Sequence, residues 1–214
     1  MREYSYSVFL NCPFDSEYEP LRKAIVFTII RCGFIVRCAD EDHTEKNRFN
    51  RILNMINESK YGIHDLSRIN LNEGEMPRNN MPLELGIFIG SKEYKDNKKD
   101  YLVLDSVPHR YKQHTTDLGG QDPSIHKNEP KEIIKCVRDW LAPKSKDRSD
   151  IPSASILFEE FENFNSDAPD YCGKKKLIFE ELTFSEYYNI ATDWIKDRQK
   201  KMEVNLHIPV EHLL

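Results

Sequence analysis

Hydrophobic positions along the chain alternate between short unbroken runs and helical spacing. "YSVFLNC", residues 6–12, is an apolar run that stops at Pro13, as a buried strand does. "EYEPLRKAIVFTIIRCG" then places Leu21, Ala24, Ile25, Phe27, Thr28 and Ile29 on an amphipathic helix that ends at Gly33. "FIVRCA", 34–39, reads as a second strand, and residues 46–58, with Phe49, Ile52, Leu53, Met55 and Ile56, as a second helix. "YGIHDLS", 61–67, is a third strand, followed by the polar loop "RINLNEGEMPRNN". "PLELGIFIGSKEY" predicts a third helix with Pro82 in its first turn, where a missing N–H costs nothing. "DYLVLDS", 100–106, is a fourth strand, and "PKEIIKCVRDWL", 130–141, is the helix that closes the unit.

Strand and helix alternate throughout, which predicts βαβ units and a parallel sheet with helices on both faces. Such sheets bind ligands beyond the carboxyl ends of their strands. Chemistry is therefore expected at Asn11-Cys12-Pro13-Phe14-Asp15, Asp40-Glu41, His64-Asp65 and the segment from Arg78 to Glu84. The first domain spans 1–141. "APKSKDRSDIPS", 142–153, is charged and without apolar periodicity, and reads as a linker. Residues 154–214 form a small C-terminal, α-rich, aromatic-rich extension, with amphipathic stretches at 154–164 and 183–198 around a strand-like "GKKKLIFEEL". A piece this short is a marginal independent fold, so it is expected to pack on the first domain or on a partner chain.

Composition narrows the classes. A hydrophobic content of 39% beside 31% charged residues suits a soluble protein with a real core, and a net charge of -5 argues against nucleic acid or a membrane surface as partner. The mixed-sign "KEYKDNKKD" and the short "GKKK" read as solvated surface. No apolar stretch nears the roughly 18 residues of a membrane span, and "MREYSYSVFL" lacks a signal peptide's apolar region, so a cytoplasmic location is expected. Five cysteines, Cys12, Cys32, Cys38, Cys136 and Cys172, show no zinc spacing and are expected to be reduced thiols. His109, His114 and His126 likewise lack metal spacing and read as surface histidines, in a loop that offers Asp122 to the crevice as part of a lid. Without a GxGxxG or Walker pattern, a dehydrogenase or P-loop reading is weak, and no cofactor or metal is expected.

One carboxylate stands out. Glu84 sits between Leu83 and Leu85 in "NNMPLELGIFIG". It is either a helix-start residue or a working acid. With Pro82 first in the helix, Glu84 takes the acidic position of a capping box, although Met81 at the cap offers no oxygen. Ile87 and Phe88 continue an apolar face below it, and Gly86 and Gly90, one turn apart, predict a flat groove where a strand approaches closely.

Three motifs then line up in order. "VFLNCPFD" resembles the first strand and "PF" turn of nucleoside 2-deoxyribosyltransferase-like proteins. "HDLS" resembles their third-strand end, where an aspartate is frequent, and "PLELGIFIG" resembles the helix opening that carries their catalytic glutamate. "VFLN" is also similar to the opening of TIR domains, which share the flavodoxin-like architecture and a helix-borne glutamate. The resemblance covers roughly residues 5–141.

It implies cleavage of an N-glycosidic bond in a nucleotide, a nucleoside or NAD. Glu84 would be the nucleophile or oxocarbenium stabiliser, and Asp65 would orient the base or share a proton with the leaving nitrogen. Asn80 would bond a ribose hydroxyl, and Arg78, with Arg48 behind it, would meet a phosphate. Asn11 and Phe14, beside Pro13, would line the base side. Deoxyribosyltransferases more often carry an acidic residue where this chain has "RNNMP", which leaves room for ribose. The resemblance also implies a homo-oligomer and a context of bacterial antiviral defence. A non-catalytic nucleotide sensor using the same crevice is the alternative from another class.

Overall fold

The computed structural model describes residues 3–39, 47–68, 79–109, 122–146 and 148–206. It divides into two compact units, Met1–Glu159 and Glu160–Leu214.

The first unit is built on β1 (Ser7–Asn11), β2 (Ile35–Cys38), β3 (Tyr61–Asp65), β4 (Asp100–Asp105) and β5 (Ser124–Ile125). They form one sheet in the order β2-β1-β3-β4-β5, with every pairing parallel. This is the flavodoxin-like order, an α/β fold whose ligands sit where β1 and β3 diverge. The helices are α1 (Glu19–Arg31), α2 (Arg48–Glu58), α3 (Asn80–Tyr94) and α4 (Pro130–Leu141). α1 packs on α4 and α2 packs on α3, so both faces of the sheet are covered. That explains the unbroken apolar runs: β1 and β3 are buried along their whole lengths and need no polar face.

Local chemistry sets the boundaries. Asn47 caps α2, its side chain accepting from the Phe49 and Asn50 amides. Gly33 follows α1 with φ at 83°, a left-handed stop that a side chain would strain.

Several expectations need correction. β5 lies inside the stretch read as loop; two residues, Ser124 and Ile125, are too short for any period to show. Among the described residues, no strand rests on the glycines of α3: a Cβ at Gly86 or at Gly90 would meet nothing within 4 Å. The "GKKKLIFEEL" run is not a strand. Helix α5 (Ala154–Lys174) runs through Pro169 into it, Lys176 turns at φ 59°, and Phe179–Glu181 is a 3-10 turn. Phe179 joins an aromatic cluster instead of a sheet edge, and Ile178 is left exposed. Between α4 and α5 lie two further 3-10 turns, Ala142–Lys144 and Arg148–Asp150, with Ala142 and Ile151 buried.

The second unit begins within α5 and continues into α6 (Phe184–Leu206). Its centre is Phe164, fully buried, with the rings of Phe179, Tyr187 and Trp194 edge-on to it at 6.3, 5.7 and 5.7 Å. Among the described residues, no helix is long and apolar enough to cross a membrane.

Candidate active site

Asn11 ends β1 and is the register partner of His64 on β3, so their side chains leave the sheet on the same face. The Asn11 amide uses both of its hydrogens. It donates to His64 Nδ1 at 3.0 Å and to the Met81 carbonyl, in the first turn of α3, at 2.8 Å. That network places the His64 proton on Nε2. The imidazole is fully buried, with ring centroids of Phe9, Phe88 and Tyr101 at 5.9, 5.2 and 6.4 Å. Burial lowers its pKa to about 3, so the ring is neutral. Gly62 makes room for it: a Cβ there would sit 2.7 Å from His64 Nε2 and 3.0 Å from the Phe88 ring.

The helix that Asn11 anchors carries Glu84. α3 starts at Asn80, not Pro82, and its first turn holds no acidic residue. Glu84 therefore stands a turn inside the helix, beyond the capping-box position, and the helix-start explanation falls. It is 9% exposed. Burial pushes its pKa up from 4.5 to about 7, and the charge of Arg48 draws it part of the way back. Arg48 is the exposed first residue of α2, the helix packed on α3.

Asp65 has a different place. It is fully buried at the end of β3, and its acceptors are occupied: the Ser67 amide donates to Oδ1 at 2.7 Å, the Tyr18 hydroxyl donates to Oδ2, and His126 Nε2 lies 3.0 Å from Oδ2. Burial pushes its carboxyl upward, but His126, Ser67 and Tyr18 together outweigh that and hold it below the usual range. Tyr18 is raised well above an ordinary phenol, by burial first and then by the Asp65 charge. His126 in turn accepts from the Asn128 amide on Nδ1 at 3.1 Å. Asp65 is thus a hub joining β3, the approach to α1 and the end of β5.

The other expected site residues scatter. Pro13 is buried, and Phe14 is 36% exposed with the Arg22 guanidinium 5.5 Å over its ring. Cys12, one residue past β1, is buried. Asn80 is exposed at the start of α3, Arg48 faces solvent across from Glu84's helix, and Asp122 is exposed. Arg78 lies outside the described residues, as do Asp40, Glu41 and His114. His126 is not a surface histidine but a fully buried one, while His109 is exposed.

Tyr18 and His126 were not legible as site residues. Their partner Asp65 is 47 residues from the first and in a separate strand from the second, so no local spacing marks them. Arg68 was missed too. It pairs with Asp15 at 2.9 Å and Glu17 at 3.0 Å beside the β1 turn. Among the described residues, no group of three or more His, Cys, Asp or Glu could hold a metal ion.

Comparison with protein-family models, with characterised proteins and with solved structures finds no match to this chain. Fold and geometry alone thus define the class: a flavodoxin-like α/β protein with a buried glutamate on the helix that Asn11 ties to the end of β1.

Proposed function

We propose that the protein cleaves an N-glycosidic bond of a nucleotide, a nucleoside or NAD, with Glu84 as the reacting carboxyl. The observation that carries this reading is one group. Glu84 is 9% exposed, a turn inside α3, and burial pushes its pKa up from 4.5 to about 7. A carboxyl so placed is held near neutrality by burial, which is how sites are tuned for acid, base or nucleophilic work. The motif resemblance to deoxyribosyltransferase-like and TIR-like proteins points to the same residue.

The chemistry follows from the charge. As the bond between anomeric carbon and base nitrogen breaks, its electron pair leaves with the base and the sugar becomes cationic. Ionised Glu84 stabilises that cation or adds to it, and water then completes hydrolysis. A neutral base needs a proton as it leaves; a quaternary nitrogen, as in NAD, becomes neutral without one. A cationic substrate would also lower the Glu84 pKa on arrival and supply the ionised form. NAD is therefore the favoured substrate of the three. In this reading Asn11 positions α3 and Asp65 holds the strand ends together, while Arg48 and Arg78 remain the cations for a phosphate.

The experiment is incubation of the full chain with NAD and a panel of nucleotides and nucleosides, followed by chromatography for free base, beside Glu84→Gln. Release lost in the variant supports the reading. Binding by thermal shift without release from either protein supports a nucleotide sensor in its place.

A further inference from the structure

Past the end of β3 at Asp65 the chain runs through Leu66 to Ser67. Ser67 is 5% exposed, and its hydroxyl oxygen is shielded from solvent without a hydrogen-bond partner. The local turn does not use that oxygen, because the Ser67 amide alone donates to Asp65 Oδ1, at 2.7 Å. A shielded hydroxyl left unpaired costs free energy, and a partner that arrives with a ligand removes the cost.

Position separates a ligand contact from a packing defect. The Ser59 hydroxyl is equally shielded and unpaired, but it lies two residues before β3 begins, at the amino edge of the sheet. Ser67 lies two residues past the end of β3, at the carboxyl edge, where this fold holds its ligands. Its neighbour Leu66 shares an apolar cluster with Met81 and Leu85, the α3 residues that bracket Glu84.

Electrostatics narrows the occupant. Asp65, held below the usual carboxylate range by His126, Ser67 and Tyr18, is ionised beside this hydroxyl. Arg68, the next residue, is already paired with Asp15 at 2.9 Å and Glu17 at 3.0 Å. That field disfavours a phosphate here. A serine hydroxyl both donates and accepts, which suits another neutral hydroxyl, and in a nucleotide that group is on the sugar.

We propose that Ser67 is a specificity-determining residue of the crevice, its hydroxyl bonding a ring hydroxyl of the ribose. This rests on the crevice being a nucleotide site, whether Glu84 turns the nucleotide over or only holds it. A ribosyl ligand completes Ser67. A deoxyribosyl ligand without that hydroxyl leaves it unpaired, which is how a site built for a hydroxyl rejects the analogue that lacks one.

The test is calorimetric titration of the full-length Glu84→Gln chain, which binds without turnover, with AMP and its 2′-deoxy and 3′-deoxy forms. AMP should bind about three- to tenfold more tightly than one of the deoxy forms. Adding Ser67→Ala should weaken AMP to the level of that form and leave the form itself unchanged. Adding Ser59→Ala should change neither. Without ligand, Ser67→Ala should be at least as stable as its parent in urea, because an unpaired buried hydroxyl has been removed. Equal binding of the three nucleotides, discrimination that survives Ser67→Ala, the same loss in Ser59→Ala, or no saturable binding would each overturn the proposal. So would a destabilised Ser67→Ala, which would show the hydroxyl already bonded in the free protein. Wild type that releases no base while this discrimination holds would remove the glycosidase reading alone.

Discussion

Asn11 donates its side-chain amide to the Met81 carbonyl at 2.8 Å, tying the carboxyl end of β1 to the first turn of the helix that carries Glu84. The same amide donates to His64. One residue thus fixes the height of α3 above the sheet and the tautomer of a buried histidine. It is 3% exposed.

Replacing Asn11 with Leu should leave the buried His64 Nδ1 without its donor and remove the tie to the Met81 carbonyl, an unpaired buried acceptor costing about 1–3 kcal/mol. Urea denaturation should show that loss. For base release, a shifted helix misplaces the carboxyl and not the substrate's other contacts, so kcat should fall much more than KM rises. Equal changes in both would place Asn11 against the substrate instead.

His64 predicts the acid side of the stability curve. Burial lowers its folded pKa to about 3, below the ordinary 6.5, so the unfolded chain binds the extra proton. Stability from this group is present above about pH 6.5 and is lost as pH falls from there toward 3. The slope is about 1.4 kcal/mol per pH unit within that window. His64→Gln keeps an acceptor for Asn11 and has no proton to gain. Denaturation at pH 4, 5 and 6 should show a flatter pH dependence in the variant, by one proton's worth.

The glycines of α3 give a prediction of opposite sign. A Cβ at Gly86 or Gly90 enters open space, and glycine within a helix costs about 0.5–1 kcal/mol relative to alanine. Gly86→Ala and Gly90→Ala should each raise the melting temperature in calorimetry. Gly62→Ala should lower it, because its Cβ collides with His64 and Phe88. A destabilised Gly90→Ala would mean that another chain packs closely there.

The first four strands and four helices could be read from the sequence because burial on both sheet faces turns each inner strand into an apolar run. β5, two residues long, carries no such run. α5 was cut short in the reading because Pro169 and a polar stretch interrupt its apolar spacing, yet the helix continues through both. In the site, Glu84 stood out as a lone carboxylate in an apolar segment. The Tyr18–Asp65–His126 network did not, because it depends on which side chains the sheet order brings together. The tie from Asn11 to α3 was hidden for the same reason: its partner Met81 lies 70 residues on.

Glu84 itself has a sign to check. Its pKa is raised from 4.5 to about 7 on folding, so the folded state holds the proton more tightly. The cost of burying the charge is absent below about pH 4.5, grows through the window up to 7 and is complete above it. Glu84→Gln, which keeps the shape without the charge, should therefore be more stable than wild type at pH 8 and gain little at pH 4.5. Urea denaturation of the two proteins at both pH values reads the difference.

The most direct test of the account is the pH profile of base release from NAD. With Glu84 acting as the ionised carboxylate, kcat/KM rises through an inflection near pH 7 and levels above it, kcat inflects at a lower pH because bound NAD favours the carboxylate, and Glu84→Gln shows neither the rate nor the inflections. Release that persists in Glu84→Gln with an unchanged profile would contradict the assignment of Glu84 as the reacting group.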